Sequence, residues 1–201
     1  PYVNNFSGGF ARIENGKPRE FTEYIVTGDM DKKFSNSKVS REYTQYYEGH
    51  NFEFASETRP VDLTTENGSF SCTFIDLPFK HNGSELKYDE ASQTYLYSEY
   101  GQPHLDAGNN NQQLAFKNLI IQNATHRQFD DHGYMIFNIL DSDRDGYFIT
   151  NGTAIPIKWS KATDTGHTRY TDLEGNEITF NTGKTYIAIV SDTQWPDLVL
   201  Q

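Results

Sequence analysis

"GYMIFNILDSDRDGYFITNGTAIPIKWS", residues 133–160, admits two incompatible readings, and the choice between them decides the fold. Asp141, Asp143 and Asp145 at alternate positions, followed by Gly146, copy the opening of the helix-loop-helix calcium site, where hard carboxylate oxygens surround a hard cation. That motif needs a bidentate Glu at its twelfth position, and counted from Asp141 this residue is Gly152, which has no side chain. Its ninth position is the apolar Ile149, and the flanks "GYMIFNIL" and "YFIT" are strand-like rather than helical in period. The competing reading is a β-hairpin in which Asp-Arg-Asp-Gly turns between those two flanks, Asp side chains accept local amides, and Gly146 takes a positive φ. Asp-rich turns of sheet proteins also recruit calcium through backbone carbonyls and a distant carboxylate, here Asp130 or Asp131. Asp141, Asp143 and Asp145 therefore remain a candidate calcium set, and calcium is the one cofactor the residues suggest.

The hairpin reading fits the rest of the chain. Short apolar and aromatic stretches recur as "SFSCTFIDL", "ELKYD", "TYLYS", "NLIIQ", "AIPIKWS", "TRYTD", "EITF" and "TYIAIV", separated by linkers such as "NGSE", "EYGQP", "LEGN" and "NTG". These linkers carry the residues that tolerate positive φ or set turn geometry. The expected fold is mainly β with minor α: an antiparallel meander, sandwich-like or barrel-like, over residues 51–201. Residues 1–50 differ, with a Gly/Asn-rich start and mixed charges, and read as an N-terminal appendage or the remnant of a further domain. Val39, Tyr43, Tyr46 and Tyr47 at loosely helical spacing predict one short helix near residues 36–48.

Composition narrows the function classes. The formal net charge of −11 repels phosphate backbones and anionic membranes, and no Lys/Arg cluster is dense enough to reverse that locally, so nucleic acid is disfavoured as a partner. The single cysteine, Cys72, excludes an internal disulfide and any multi-cysteine zinc site. Its alternating surroundings suit a buried, inert thiol, with no adjacent base to make it a nucleophile.

No nucleophile elbow, phosphate loop or dinucleotide fingerprint occurs, so chemistry must rest on scattered residues. "GQPHLDAG" puts His104 and Asp106 on one face of an extended segment, and "NATHRQFDDHG" adds His126, Asp130, Asp131 and His132. Together they would make a metal or acid-base site, against the reading of His104 as a turn residue and residues 126–132 as a solvated loop. In "IKWSKATDTGHTRY", Trp159, Lys161, His167, Arg169 and Tyr170 combine aromatic faces with donors, the mixture that binds sugars. The competing reading makes Trp159 a core anchor, because it continues the apolar beat of Ile155 and Ile157.

From about Phe52 to Val190 the order of residues is that of a family: "KYDEASQTYLYSEYGQPHLDAG", then "KNLIIQ", then "GYFITNGTAIPIKWSKATDTGHTRYTDLEGNEITFNTGKTYIAIV". It resembles the C-terminal part of the YerB-type lipoproteins of Gram-positive bacteria, a domain of unknown function. The specific pieces are Lys117-Asn118 before an apolar strand, Gly146-Tyr147, Asn151-Gly152, Trp159-Ser160-Lys161, Thr168-Arg169-Tyr170, Gly175 and Gly183. Tyr97, Tyr186 and the acidic Asp143-Arg144-Asp145 depart from the family pattern. The resemblance implies an exported, extracytoplasmic domain tethered through a lipidated cysteine upstream of it, so that the membrane is met only through an anchor outside this chain. In that setting the sequons at Asn5, Asn67, Asn82, Asn123 and Asn151 are chance matches in Asn-rich turns. The expected role is a non-catalytic binding or scaffold module for a cell-wall glycan or an envelope protein. One alternative is a cell-wall glycan hydrolase using His104, Asp106 and His132; another is a calcium-stabilised adhesion module.

Overall fold

In the computed structural model, which describes residues 11–24, 26, 28–35 and 51–201, the chain divides into a unit of residues 1–47 and a unit of residues 48–201. Within the first, Ala11–Arg12 pairs antiparallel with Glu23–Tyr24. A helix, α1, runs over Asp29–Ser35, with Asp29 and Asp31 in the first turn, where carboxylates oppose the helix dipole. The helix expected over residues 36–48 lies outside the described residues.

The main strands of the second unit are β1 (Phe70–Ser71), β2 (Phe74–Asp76), β3 (Glu85–Asp89), β4 (Thr94–Glu99), β5 (Ala115–Phe116), β6 (Asn118–Ala124), β7 (Arg144–Thr150), β8 (Thr153–Ser160), β9 (Arg169–Thr171), β10 (Thr185–Ser191) and β11 (Val199–Leu200). One sheet has the antiparallel order β5-β4-β3-β2-β11. The other has the order β9-β8-β7-β6-β10, antiparallel except where β6 and β10 run parallel, Asn118 beside Thr185 through Ala124 beside Ser191. One buried cluster joins Ile75, Leu86, Tyr95 and Tyr97 of the first sheet to Leu119, Ile121, Ile149 and Val190 of the second, so the two sheets share a core as a sandwich. Both keep edge strands, and the architecture is the sandwich-like one of the two expected forms rather than a closed barrel.

The second sheet is covered on its other face as well. Ile120, Ala124, Phe148, Ile155, Ile157 and Trp159 pack there with Leu63, Tyr170 and Phe180. This explains "NLIIQNA": every residue of β6 is buried, its odd and even positions serving different cores, so the strand reads as a continuous apolar run rather than an alternation. Burying each large apolar side chain contributes roughly 1.5–3 kcal/mol. Pro156 is tolerated within β8 because it falls between the short partners of that strand, β1 at Thr153–Ala154 and β9 at Lys158–Ser160.

The expected Asp-Arg-Asp-Gly hairpin is corrected by the structure. Met135–Phe137 folds back on His126–Gln128, and Arg144 to Gly146 already belong to β7. The tight turn lies later, at Asn151 (φ 50°) and Gly152 (φ 75°), the two left-handed residues that join twisted strands. Asp143, not Gly146, takes the positive φ, at 57°. Gly146 is needed for a different reason: a Cβ there would stand 2.7 Å from the carbonyl oxygen of Ile121 on the neighbouring strand.

Candidate functional site

Where β6 and β10 begin side by side, the surface opens into a groove of about 470 Å³ whose lining includes Glu57, Gln93, Lys117, Asn181, Gly183 and Lys184. The parallel register creates it. The amide of Lys117 donates to the Lys184 carbonyl at 2.8 Å, and that of Asn118 donates to the same oxygen at 3.1 Å, so the two lysines stand side by side immediately before adjacent strands. Gly183 makes the approach possible: its φ is +143°, and a Cβ there would lie 2.6 Å from the Cβ of Lys117.

Beneath the groove is a buried polar network. Asn118 Nδ2 donates to the Asn181 carbonyl at 2.8 Å, and Asn118 Oδ1 accepts the Asn181 amide at 3.0 Å. Asn181 Nδ2 donates to Thr150 Oγ1 at 2.9 Å, Thr150 Oγ1 donates to the Lys117 carbonyl at 3.0 Å, and Asn181 Oδ1 accepts the Val61 amide at 2.8 Å. Asn118, Thr150 and Asn181 are all buried, and a satisfied network of this kind fixes the chain segments that meet there. Above it, Lys117 Nζ donates to the Gln93 carbonyl at 3.1 Å, and partial burial lowers the pKa of its amine. Among the described residues neither Lys117 nor Lys184 forms an ion pair.

The residues singled out in the sequence distribute differently. Trp159 is 1% exposed, with its indole N–H donating to the Asn123 carbonyl at 3.0 Å, and it anchors the second core rather than a binding face. Tyr170 is also buried; its hydroxyl donates to Gln122 Oε1 at 2.8 Å, and desolvation raises its pKa. His167, Arg169 and Tyr170 line a small cleft of about 100 Å³, where the Arg169 guanidinium is taken up by Glu177. Lys161 donates to the carbonyl of Gly166.

Among the described residues His104, Asp106 and His132 form no joint metal-type cluster, and each is held by other partners. The His104 ring nitrogen Nδ1 lies 3.1 Å from Glu99 Oε2, while Glu99 Oε1 accepts from Tyr97 at 2.5 Å and from Asn82 at 3.1 Å. The Tyr97 hydrogen bond, with His104 and Asn82 adding to it, holds the Glu99 carboxyl below its usual pKa. Asp106 accepts the Gly108 amide at 2.9 Å within its own turn. The His132 amide donates to Asp130 Oδ1 at 3.0 Å in the loop of the His126–Gln128 and Met135–Phe137 hairpin.

The acidic stretch is dispersed too. Asp145 Oδ1 takes the Lys158 ammonium at 2.8 Å, which raises the lysine pKa, whereas Asp141 accepts from Asn138 and faces Arg144. Among the described residues no group of three or more His, Cys, Asp or Glu side chains is placed to hold a metal ion.

The groove itself was not singled out as a site from sequence. Lys117 is visible there as the start of "KNLIIQ" and Lys184 as the end of "NTGK", but only the parallel pairing of two strands far apart in the chain brings them together.

A family model described as "Protein of unknown function (DUF3048) C-terminal domain" matches residues 75–187. The crystal structure of the YerB protein from Bacillus subtilis is similar in fold, with a TM-score of 0.55 and 20% identity over 69% of this chain and 45% of that one. The chain therefore corresponds to less than half the length of that relative. No curated protein matches it.

Proposed function

The chain belongs to the family of DUF3048 C-terminal domains, and on that premise we propose that it is a non-catalytic binding module of the bacterial cell envelope that holds a cell-wall glycan in the groove beside Lys117 and Lys184. The extracytoplasmic setting, and a lipid anchor borne elsewhere in the full protein, are supported by the resemblance of residues 52–190 to the YerB-type lipoproteins.

The observation that carries the binding role is the make-up of the groove. Its volume of about 470 Å³ is in the range of small-ligand sites, and its floor is held by the Asn118–Asn181–Thr150 network before any ligand arrives. Its walls offer hydroxyl, amide and ammonium groups suited to a polyhydroxylated chain. Glu57 is the one carboxylate in the lining, and the lining has no His or Cys. Glycoside hydrolysis by the common routes needs two carboxyl groups flanking the scissile bond, so this groove has the parts for holding a glycan and lacks those for cutting it.

The test is a calorimetric titration with soluble cell-wall glycan fragments, followed by mass spectrometry of the incubated mixture. Saturable heat with intact fragments is the expected result. Shortened fragments would instead support a hydrolase, with His104 and Asp106 the first residues to mutate. A titration with no heat and no binding by a second method would overturn the reading.

A further inference from the structure

Resting on the reading of the groove as a glycan site, we infer that its ligand is acidic: a saccharide or polyol chain whose repeating anionic groups are held between the ammonium groups of Lys117 and Lys184. The backbone hydrogen bond between the two residues sets them side by side at the head of adjacent parallel strands, and both line the same groove. Two like charges so placed repel each other, and among the described residues no carboxylate pairs with either. Some other surface cations of this acidic chain have carboxylate partners, Lys158 with Asp145, Lys80 with Asp197 and Arg12 with Glu23, while Arg59, Lys87 and Arg127 are in no ion pair among the described residues. What sets Lys117 and Lys184 apart is that two unpaired ammonium groups stand side by side in one groove.

Lys117 is the anchor of the pair. An ammonium has three donors, and its one protein acceptor is the neutral carbonyl of Gln93, so its charge is partly stripped of water without an opposite charge in return. An anion entering the groove supplies that charge. Lys184 is more exposed and meets the next anionic group along the chain. The overall charge of −11 does not cancel this local attraction, because fields from distant carboxylates are screened over about 8 Å at physiological salt. Glu57, on the same lining, disfavours an anion at its own position and so helps to fix where along the groove the anionic groups sit.

The experiment compares three probes of matched length: a glycerol-phosphate oligomer, an oligogalacturonate and a neutral chito-oligosaccharide. They are titrated into the chain and into Lys117→Gln, Lys184→Gln and the control Lys87→Gln, with thermal melts confirming that each variant is folded. The expected result is tighter binding of one or both anionic probes, weakened about tenfold by either groove substitution and unchanged by Lys87→Gln. The dependence on salt should also become shallower by roughly one unit of log K against log salt for each lysine removed. Preference for the phosphate over the carboxylate oligomer, or the reverse, identifies the anion. If the neutral probe binds as well as the charged ones and the lysine variants bind normally, the acidic-ligand inference falls while the glycan site stands. If none of the three binds, both fall.

Discussion

The amide of Lys117 donates to the carbonyl of Lys184 at 2.8 Å, which makes the first hydrogen bond of the only parallel pairing between the main strands also the structural basis of the groove. Gly183 is the residue that permits it. Gly183→Ala would force a Cβ against Lys117 and impose a side chain on a φ of +143°, and it should destabilise the domain by about 1–3 kcal/mol. In a melt this corresponds to a fall of roughly 2–4 °C per kcal/mol. Gly175→Ala also introduces a side chain at positive φ, +89°, but meets nothing within 4 Å, so it measures the backbone cost alone and should lower the melting temperature less.

The network under the groove should behave as a unit. Asn181→Ala removes the acceptor of the Val61 amide and a partner of Thr150, and Thr150→Val removes the hydroxyl that links Asn181 to the Lys117 carbonyl. Each buried polar group left unpaired costs about 1–3 kcal/mol. Denaturant unfolding of the two single variants and the double should be non-additive, the second substitution costing less once the first is made.

Acid stability should report on Tyr97 and Glu99. The folded pKa of Glu99 is depressed below the ordinary carboxyl value of about 4.5, with the Tyr97 hydrogen bond the largest cause. A depressed carboxyl pKa contributes stability that is present above the unfolded value and lost as pH falls through the folded one. Tyr97→Phe removes that contribution, so its melting temperature should lie below the parent's at neutral pH, with a gap that narrows as pH drops below 4.5. A gap that stays constant across the acid range would contradict this.

Cys72 should be inert in the native state. It is fully buried, and desolvation pushes its thiol pKa up to about 12, so almost no thiolate exists at pH 8. A chromogenic disulfide reagent should label it only as fast as the protein unfolds, and completely in denaturant. Rapid labelling of the folded protein would show that the sandwich opens more readily than its core implies.

Much of the fold was legible because burial leaves a period in the sequence. "ELKYD" coincides with β3, and "TYLYS", "NLIIQ" and "TYIAIV" each fall within a strand, the alternation of one-sided strands and the continuous run of β6 both being visible as such. Strand pairing is not written in that period. Hence the period alone puts a turn at Asp143–Gly146 where the structure has it at Asn151–Gly152, although Asn-Gly is the stronger hairpin signal, and it carries no sign of the parallel neighbour of β6. The candidate residues divide the same way. Trp159 follows the apolar beat of Ile155 and Ile157, which the core confirms, whereas Lys117 and Lys184 carry no common motif and meet only through β6 and β10.

The most direct test of the central claim, that the groove is where this domain takes its ligand, is amide chemical-shift mapping of the isotopically labelled chain during titration with cell-wall glycan fragments. The account predicts saturable shifts concentrated at Gln93, Lys117, Asn181, Gly183 and Lys184, with the amides around His104 and around the His167–Arg169 cleft unmoved. Shifts centred on either of those regions, with the groove silent, would contradict it.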